Sequence, residues 1–338
     1  MKKQVTLYTD TVYPHRKKHE VLYSFCRPIN GDPAVDFREV RGYKLPRHLG
    51  DYAISFGPPF HKTKQQIAAA IAKGKYERPL LRSSIVKFYD KKVFYTDTDP
   101  LNIYQQKYEQ LRVRFPFGSP FPNEADYFDS DLDLDKWDKI KKERNINVKE
   151  YDGKGDYILI CCNRGESGYS SKGLNAADWA IDTATEVMKH TDRPIIIRTH
   201  HDVNANTFVS DTKRLNTFCN LPGHKNKITL HLPSKSGCHE YPELDKVSAK
   251  AYCVITYVSN AGASAIIEGT PVYSLGEWSY TYSMNPGPLS SIENIDLNSM
   301  YSLREDWLHR YANNHYTIKE LSSGEYWSKA RKKILELP

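Results

Sequence analysis

The sequence predicts an α/β protein of two Rossmann-like domains facing a cleft, with C-terminal helices returning toward the first domain. Three observations carry this. The chain has 338 residues, enough for two medium domains. Its second half alternates strand and helix signals at lengths that demand a parallel sheet covered on both faces. Several strands end in small or glycine-containing turns, the pattern of α/β folds in which ligands sit outside the carboxyl ends of the strands.

In the first block, 4–8 and 51–56 read as strands. An alanine-rich helix over 64–73 is entered just after Gly57-Pro58-Pro59, and 86–95 reads as a hairpin-like pair around Asp90-Lys91. The run 129–144, acidic at its start and basic at its end, predicts an amphipathic helix, and Gly153-Lys154-Gly155 marks a boundary after it. The second block predicts strands at 157–162, 194–198, 227–230, 253–257 and 271–275, with helices over 176–190, 242–251 and 261–269. The expected domains are therefore 1–152, 153–303 and a helical tail at 304–338 that packs back across them. In that tail Trp307, Tyr311, Tyr316 and Trp327 alternate with basic residues; at helical spacing this favours a packed amphipathic face over a base-stacking surface.

Hydrophobic residues make up 39% and charged residues 26%, an ordinary globular balance. No apolar run approaches the roughly 20 residues of a spanning helix, and the start of the chain lacks a signal-peptide core, so a cytoplasmic protein without a membrane is expected. Six cysteines without a Cys-x-x-Cys pair predict reduced, buried thiols and disfavour a zinc site; no metal is expected. The net charge is +7, and the whole excess falls within residues 1–152, which points weakly to a polyanionic partner.

The strongest local signal runs from Val254 to Val272. A buried strand ends at Tyr257, Ser259 and Asn260, and Ala261, Gly262 and Ser264 open the next helix. Small side chains there let backbone amides approach an anion, with serine hydroxyls as further donors, so a diphosphate is the natural ligand; a tight turn packed with small residues fits equally well. Glu268, two turns on, is placed to accept from ribose hydroxyls. Arg198 and His200 follow a strand and offer contacts to phosphate. Gly168, Tyr169, Ser170 and Lys172 lie in a glycine-punctuated loop suited to closing over a substrate. His61, after Gly57-Pro58-Pro59-Phe60, is a candidate general base, with Asp90, Asp97 and Asp129 as competing carboxylates. Arg112 and Arg114 are candidate contacts to a DNA backbone.

Four stretches then carry a resemblance: residues 168–180, 190–200, 256–272 and 317–327. In this order they are similar to the nucleotide-sugar half of GT-B glycosyltransferases, in particular the glycosyltransferase-like proteins of tailed phages that act on hydroxymethylpyrimidines of DNA. The Ser-Asn-x-Gly and Glu-Gly-x-Pro elements also resemble those of capsule-polysaccharide transferases. The resemblance implies a sugar nucleotide, UDP-linked, as co-substrate and no other cofactor. It places Ser259, Asn260 and Gly262 at the diphosphate, Glu268 near the ribose, and the acceptor on the first domain. The expected activity is metal-independent transfer of a sugar to a hydroxyl, with a hydroxymethylated pyrimidine of double-stranded DNA as acceptor. Three alternatives stand beside it: transfer to a polysaccharide or lipid-linked glycan, epimerisation of a nucleotide sugar, and a non-catalytic DNA-binding role.

Overall fold

The computed structural model describes residues 2–9, 16–41, 50–56, 85, 89–101, 104–105, 107–119, 125, 127, 132–163, 175–200, 208–232 and 241–336. The chain divides into two compact units, one of Met1–Arg144 with His309–Pro338, the other of Asn145–Leu308.

The first unit holds the strands β1 (Lys3–Thr9), β2 (Val35–Arg41), β3 (Tyr52–Phe56), β4 (Val93–Thr98), β5 (Arg112–Arg114) and β11 (Tyr316–Thr317) in the order β11-β5-β4-β3-β1-β2. Four strands, β2, β1, β3 and β4, are parallel; β5 and β11 are antiparallel additions at one edge. Helix α1 (Arg16–Asn30) packs against two C-terminal helices, α8 (Ile318–Ser322) and α9 (Glu325–Glu336). The core between them is aromatic: Phe25 stacks on Phe115 with centroids 4.0 Å apart, and Tyr326 meets both rings. The Tyr52 hydroxyl donates to the Ile334 carbonyl at 2.9 Å, and Asp32 accepts from Trp327 Nε1 and from Arg331. The C-terminal aromatic residues are thus core.

One element differs from expectation. The turn at Asp90-Lys91 does not make a hairpin: β4 leaves it to pair parallel with β3, because strand β3 is buried on both faces and recruits its neighbour in the same direction. The acidic–basic run forms its helix, α2 (Asp135–Glu143), which buries Trp137 and Ile140 in the first unit. The predicted helix at 64–73 lies outside the described residues.

The second unit is a five-stranded, wholly parallel sheet of β6 (Tyr157–Cys161), β7 (Ile195–Arg198), β8 (Ile228–His231), β9 (Ala251–Thr256) and β10 (Val272–Ser274), in the order β10-β9-β6-β7-β8. Ile158, Ile160, Ile195, Ile197, Cys253 and Ile255 are buried on it, the continuous apolar strands that a sheet covered on both faces requires. Helix α3 (Ala176–Val187) begins with Asn175 accepting from the Asp178 amide at 2.8 Å, and it packs against α4 (Phe208–Cys219). Helix α5 (Tyr241–Ser248) packs against α6 (Ala261–Ile267), and α7 (Leu297–Asn314) leads out of this unit. Five cysteines, Cys26, Cys161, Cys162, Cys219 and Cys253, are buried and free. Burial pushes the Cys161 thiol up to about 12, so it is inert at neutral pH. No helix among the described residues is long and apolar enough to cross a membrane.

Candidate functional site

The strand order of the second unit reverses direction between β6 and β9. From β6 the chain winds outward through β7 to β8, then returns to lay β9 and β10 on the other side. The crevice at the carboxyl ends of two such strands is where open parallel sheets bind ligands. Asn163 and the turn after β9 meet there: the Val258 amide donates to Asn163 Oδ1 at 3.3 Å. On the neighbouring strands, Arg198 ends β7 and His231 ends β8 in direct register, and the guanidinium Nη1 lies 2.7 Å from His231 Nδ1. His200 follows half-buried.

The Ser259–Ser264 turn is tightly self-bonded. Ser259 takes the Thr256 hydroxyl as acceptor for its amide at 3.0 Å, while its own hydroxyl accepts from the Ala261 amide at 3.2 Å. The Gly262 and Ala263 amides donate to the Ser259 and Asn260 carbonyls at 3.1 and 3.0 Å. Asn260 makes no side-chain cap. The amides of Ser259, Ala261, Gly262 and Ala263 therefore already have partners within the turn. Gly262 also has a packing reason to be glycine, since a Cβ there would lie 2.5 Å from Thr281 Oγ1 and 3.2 Å from Val272 Cγ2. Tyr257 is buried, 6.1 Å from the Trp179 ring centre, and burial raises its phenol.

Glu268 stands two turns into α6, where the sequence placed it. It closes α6 at its far end, roughly 10 Å along the axis from Ala261, and its carboxylate is bonded to Lys149. The half-buried carboxylate nearer the start of the helix is Asp245 of α5, which accepts from the Ser264 hydroxyl. Burial raises the Asp245 carboxyl, against the Ser264 hydrogen bond that lowers it.

In the first unit three expectations are corrected. Asp90 is exposed, with φ 49°, in the turn that precedes β4. That is the amino end of the parallel strands, opposite the edge where such sheets bind ligands, so it is misplaced for a base. Arg112 and Arg114 are 4% and 2% exposed. Arg112 donates to Glu320 Oε2 at 3.0 Å and the His315 carbonyl at 3.1 Å, and Arg114 donates to the Tyr127 hydroxyl. Arg112 joins the β5 edge to the C-terminal segment, and both side chains are buried where a phosphate backbone does not reach them. His61, Gly168, Tyr169, Ser170 and Lys172 lie outside the described residues, as do Asp129 and the loops that follow β7 and β8 in sequence.

No family model matches the sequence, and no curated protein matches it. Solved structures of similar fold do. One is a Thermosulfurimonas dismutans KpsC beta Kdo 2,7 transferase, 14% identical, matched over 98% of this chain and 100% of that one with a TM-score of 0.45. A glycosyltransferase from Rickettsia africae is 11% identical over 100% of both chains, TM-score 0.36. A Methanocaldococcus jannaschii UDP-GlcNAc 2-epimerase, solved with UDP-GlcNAc and UDP, is 12% identical over 98% of this chain and 100% of that one, TM-score 0.30.

Sequence reasoning missed His231 and Asp245. Neither carries a local signal: a histidine at a strand end and an aspartate in a short helix become interesting only when pairing sets one beside Arg198 and the other beside Ser264. Among the described residues no group of three His, Cys, Asp or Glu side chains is arranged to hold a metal. At this edge lie a buried guanidinium and hydroxyl groups, with a desolvated carboxylate beside Ser264. That set suits a nucleotide's phosphates and ribose.

Proposed function

We propose that the protein is a glycosyltransferase that moves a sugar from a nucleoside diphosphate donor to a hydroxyl acceptor. The observation that carries this reading is Arg198, a buried cation at the carboxyl edge of a sheet wound in the order of a nucleotide-binding unit. The sequence resemblance over 168–180, 190–200, 256–262 and 268–272 supports it. In this reading the second unit binds the donor. Arg198 and His200 face the diphosphate, Ser259, Asn260 and Gly262 shape its seat, and Glu268 accepts from the ribose hydroxyls, with Asp245, held by Ser264, as a second carboxylate beside α6.

A base takes the proton of the acceptor hydroxyl, the oxygen attacks the anomeric carbon, and the bond to the diphosphate breaks as its charge is taken up by Arg198. His61 is assigned the proton, and the reaction proceeds without a metal. The loop carrying Gly168, Tyr169, Ser170 and Lys172 covers the donor. The acceptor is a hydroxymethylated pyrimidine of double-stranded DNA, supported by the +7 charge carried by residues 1–152 but not by Arg112 and Arg114.

The test incubates purified protein with a panel of nucleotide sugars, with and without hydroxymethylated DNA or a soluble glycan, in EDTA, and follows nucleoside diphosphate release and acceptor mass. Acceptor-dependent release from one donor is expected, with a sugar-sized mass gain on one nucleoside after nuclease digestion. Gain on the glycan alone overturns DNA as acceptor, conversion of the donor sugar without any acceptor makes the protein an epimerase, and inertness toward every donor overturns the reading. Loss of turnover in EDTA that added metal restores overturns metal independence. His61→Ala retaining full rate removes His61 as the base.

A further inference from the structure

Assigning charge to the two compact units sharpens its segregation. Of the 48 basic and 41 acidic residues, 33 and 22 fall in the first unit and 15 and 19 in the second, because the C-terminal segment belongs to the first. Arg112, Arg114 and Arg144 carry part of that excess inside the unit. Another part lies on one layer of helices. Phe25 and Ile29 of α1, Leu321 of α8 and Trp327 and Ile334 of α9 share one core with Leu7 of β1, so the three helices cover the same face of the first sheet and turn their apolar stripes toward it. Their polar sides form the outer surface of that layer.

Arg27, Lys319 and Lys332 stand exposed on it, and among the described residues none of the three has an ion pair. Lys333 is exposed beside Lys332, and Lys329 is half-buried one turn before it. The acids of these helices are engaged elsewhere: Glu20 accepts from the Tyr108 hydroxyl at 2.5 Å, Glu320 from Arg112 at 3.0 Å and Glu325 from Lys136 at 2.8 Å. That leaves Glu336, at the end of α9, against five cations. Like charges gathered on one face repel, so this arrangement does not serve stability; it suits a polyanion. A membrane surface demands apolar anchors as well. Tyr326 and Trp327 are buried instead, and Tyr23, the exposed aromatic residue of α1, donates its hydroxyl to Glu39 at 2.7 Å. We infer that the outer face of α1, α8 and α9 docks the phosphate backbone of duplex DNA, with Arg27, Lys319, Lys329, Lys332 and Lys333 as its contacts. This rests on the reading of DNA as the acceptor, and it gives the backbone a surface that Arg112 and Arg114 do not provide.

The experiment measures fluorescence anisotropy of a labelled DNA duplex against the full chain between about 50 and 200 mM salt, with thermal melting and nucleoside diphosphate release from the donor alongside. For wild type, log K is expected to fall linearly with log salt. The triple variant Arg27→Gln, Lys319→Gln, Lys332→Gln is expected to lose about 0.9 from that slope per cation, about 2.7 in all, while melting like wild type and releasing nucleoside diphosphate at the wild-type rate in the absence of DNA. A matched triple in the second unit, Lys154→Gln, Lys225→Gln, Lys250→Gln, removes the same charge from exposed positions and is expected to keep the slope. An equal loss of slope in the two triples overturns the inference, as does a wild type that binds vesicles of phosphatidylcholine with phosphatidylserine but no DNA at 50 mM salt. If the wild type modifies DNA and the helix-layer triple does so equally fast across the salt series, the surface alone falls. If donor turnover is present without any affinity for DNA, DNA as acceptor falls with the surface and sugar transfer stands; if no donor is turned over, the transferase reading itself falls.

Discussion

Arg144 meets Asp99 at 2.7 Å with side chains 0% and 1% exposed, fastening the end of a helix that the sequence placed at a domain boundary into the interior of the first unit. Tyr311 completes the cluster, donating to Asp99 Oδ1 at 2.8 Å and lying 3.0 Å from Arg144 Nη1. Removing one partner of such a pair strands the other charge in a low dielectric. Arg144→Met is expected to cost about 3–5 kcal/mol in urea unfolding. The double variant Arg144→Met with Asp99→Asn, which retains an acceptor for the Leu101 amide, should recover part of that loss. A single-variant cost below about 1 kcal/mol would show that the pair is not buried in solution.

Arg112 and Arg114 make a sharper case, because their burial reverses what their charge suggested. Arg112→Ala breaks contacts to Glu320 and the His315 carbonyl, and Arg114→Ala the contact to Tyr127. Each should lower stability by about 2–4 kcal/mol. The salt dependence of any DNA binding should stay as it is in wild type, since neither side chain contributes a phosphate contact. A flatter salt slope with unchanged melting would return both residues to the surface.

His315 makes the first unit sensitive to acid. Burial lowers its pKa from 6.5 to about 4, with Arg114 and Arg144 adding to that and Asp99 and the Tyr311 carbonyl opposing it. A buried neutral histidine binds its proton more weakly folded than unfolded. Its contribution is therefore fully present above about 6.5 and is lost progressively as the pH falls from there toward 4. The two and a half units correspond to on the order of 3 kcal/mol. Urea midpoints between pH 7 and pH 4 should fall more steeply for wild type than for His315→Asn; parallel slopes would exclude the histidine as the cause.

Gly262 and Gly223 form a matched pair. A methyl group at Gly262 collides with Thr281 Oγ1 and presses on Val272, whereas nothing lies within 4 Å of one at Gly223. Gly262→Ala should cost about 1–3 kcal/mol, and Gly223→Ala should be neutral or slightly stabilising. Comparing their melting temperatures tests whether the small residues of α6 serve packing. A Gly262→Ala protein that melts like wild type but binds nucleotide poorly would restore the ligand-approach explanation.

Much of the second unit was legible because parallel strands buried on both faces must be continuously apolar. The runs around Ile158, Ile196 and Val254 have no other reading, and the observed strands fall within two residues of the expected ones. In the first unit the short polar strand Val35–Arg41 and the antiparallel pieces Arg112–Arg114 and Tyr316–Thr317 carried no such run and went unread. Their pairing depends on partners far away in sequence: Tyr316 lies opposite Val113.

By itself the sequence determined the α/β class, the parallel sheet of the second unit and the place of Arg198 at a strand end, since these follow from local periodicity and composition. Only the tertiary structure decided which partner each charge takes. Glu268 goes to Lys149, Arg112 to Glu320 and Arg144 to Asp99, while His231 is set against Arg198 and Asp245 against Ser264. The reason is physical: a side chain's charge is written in the sequence, but its partner and its solvation are set by contacts between residues brought together only when the chain folds.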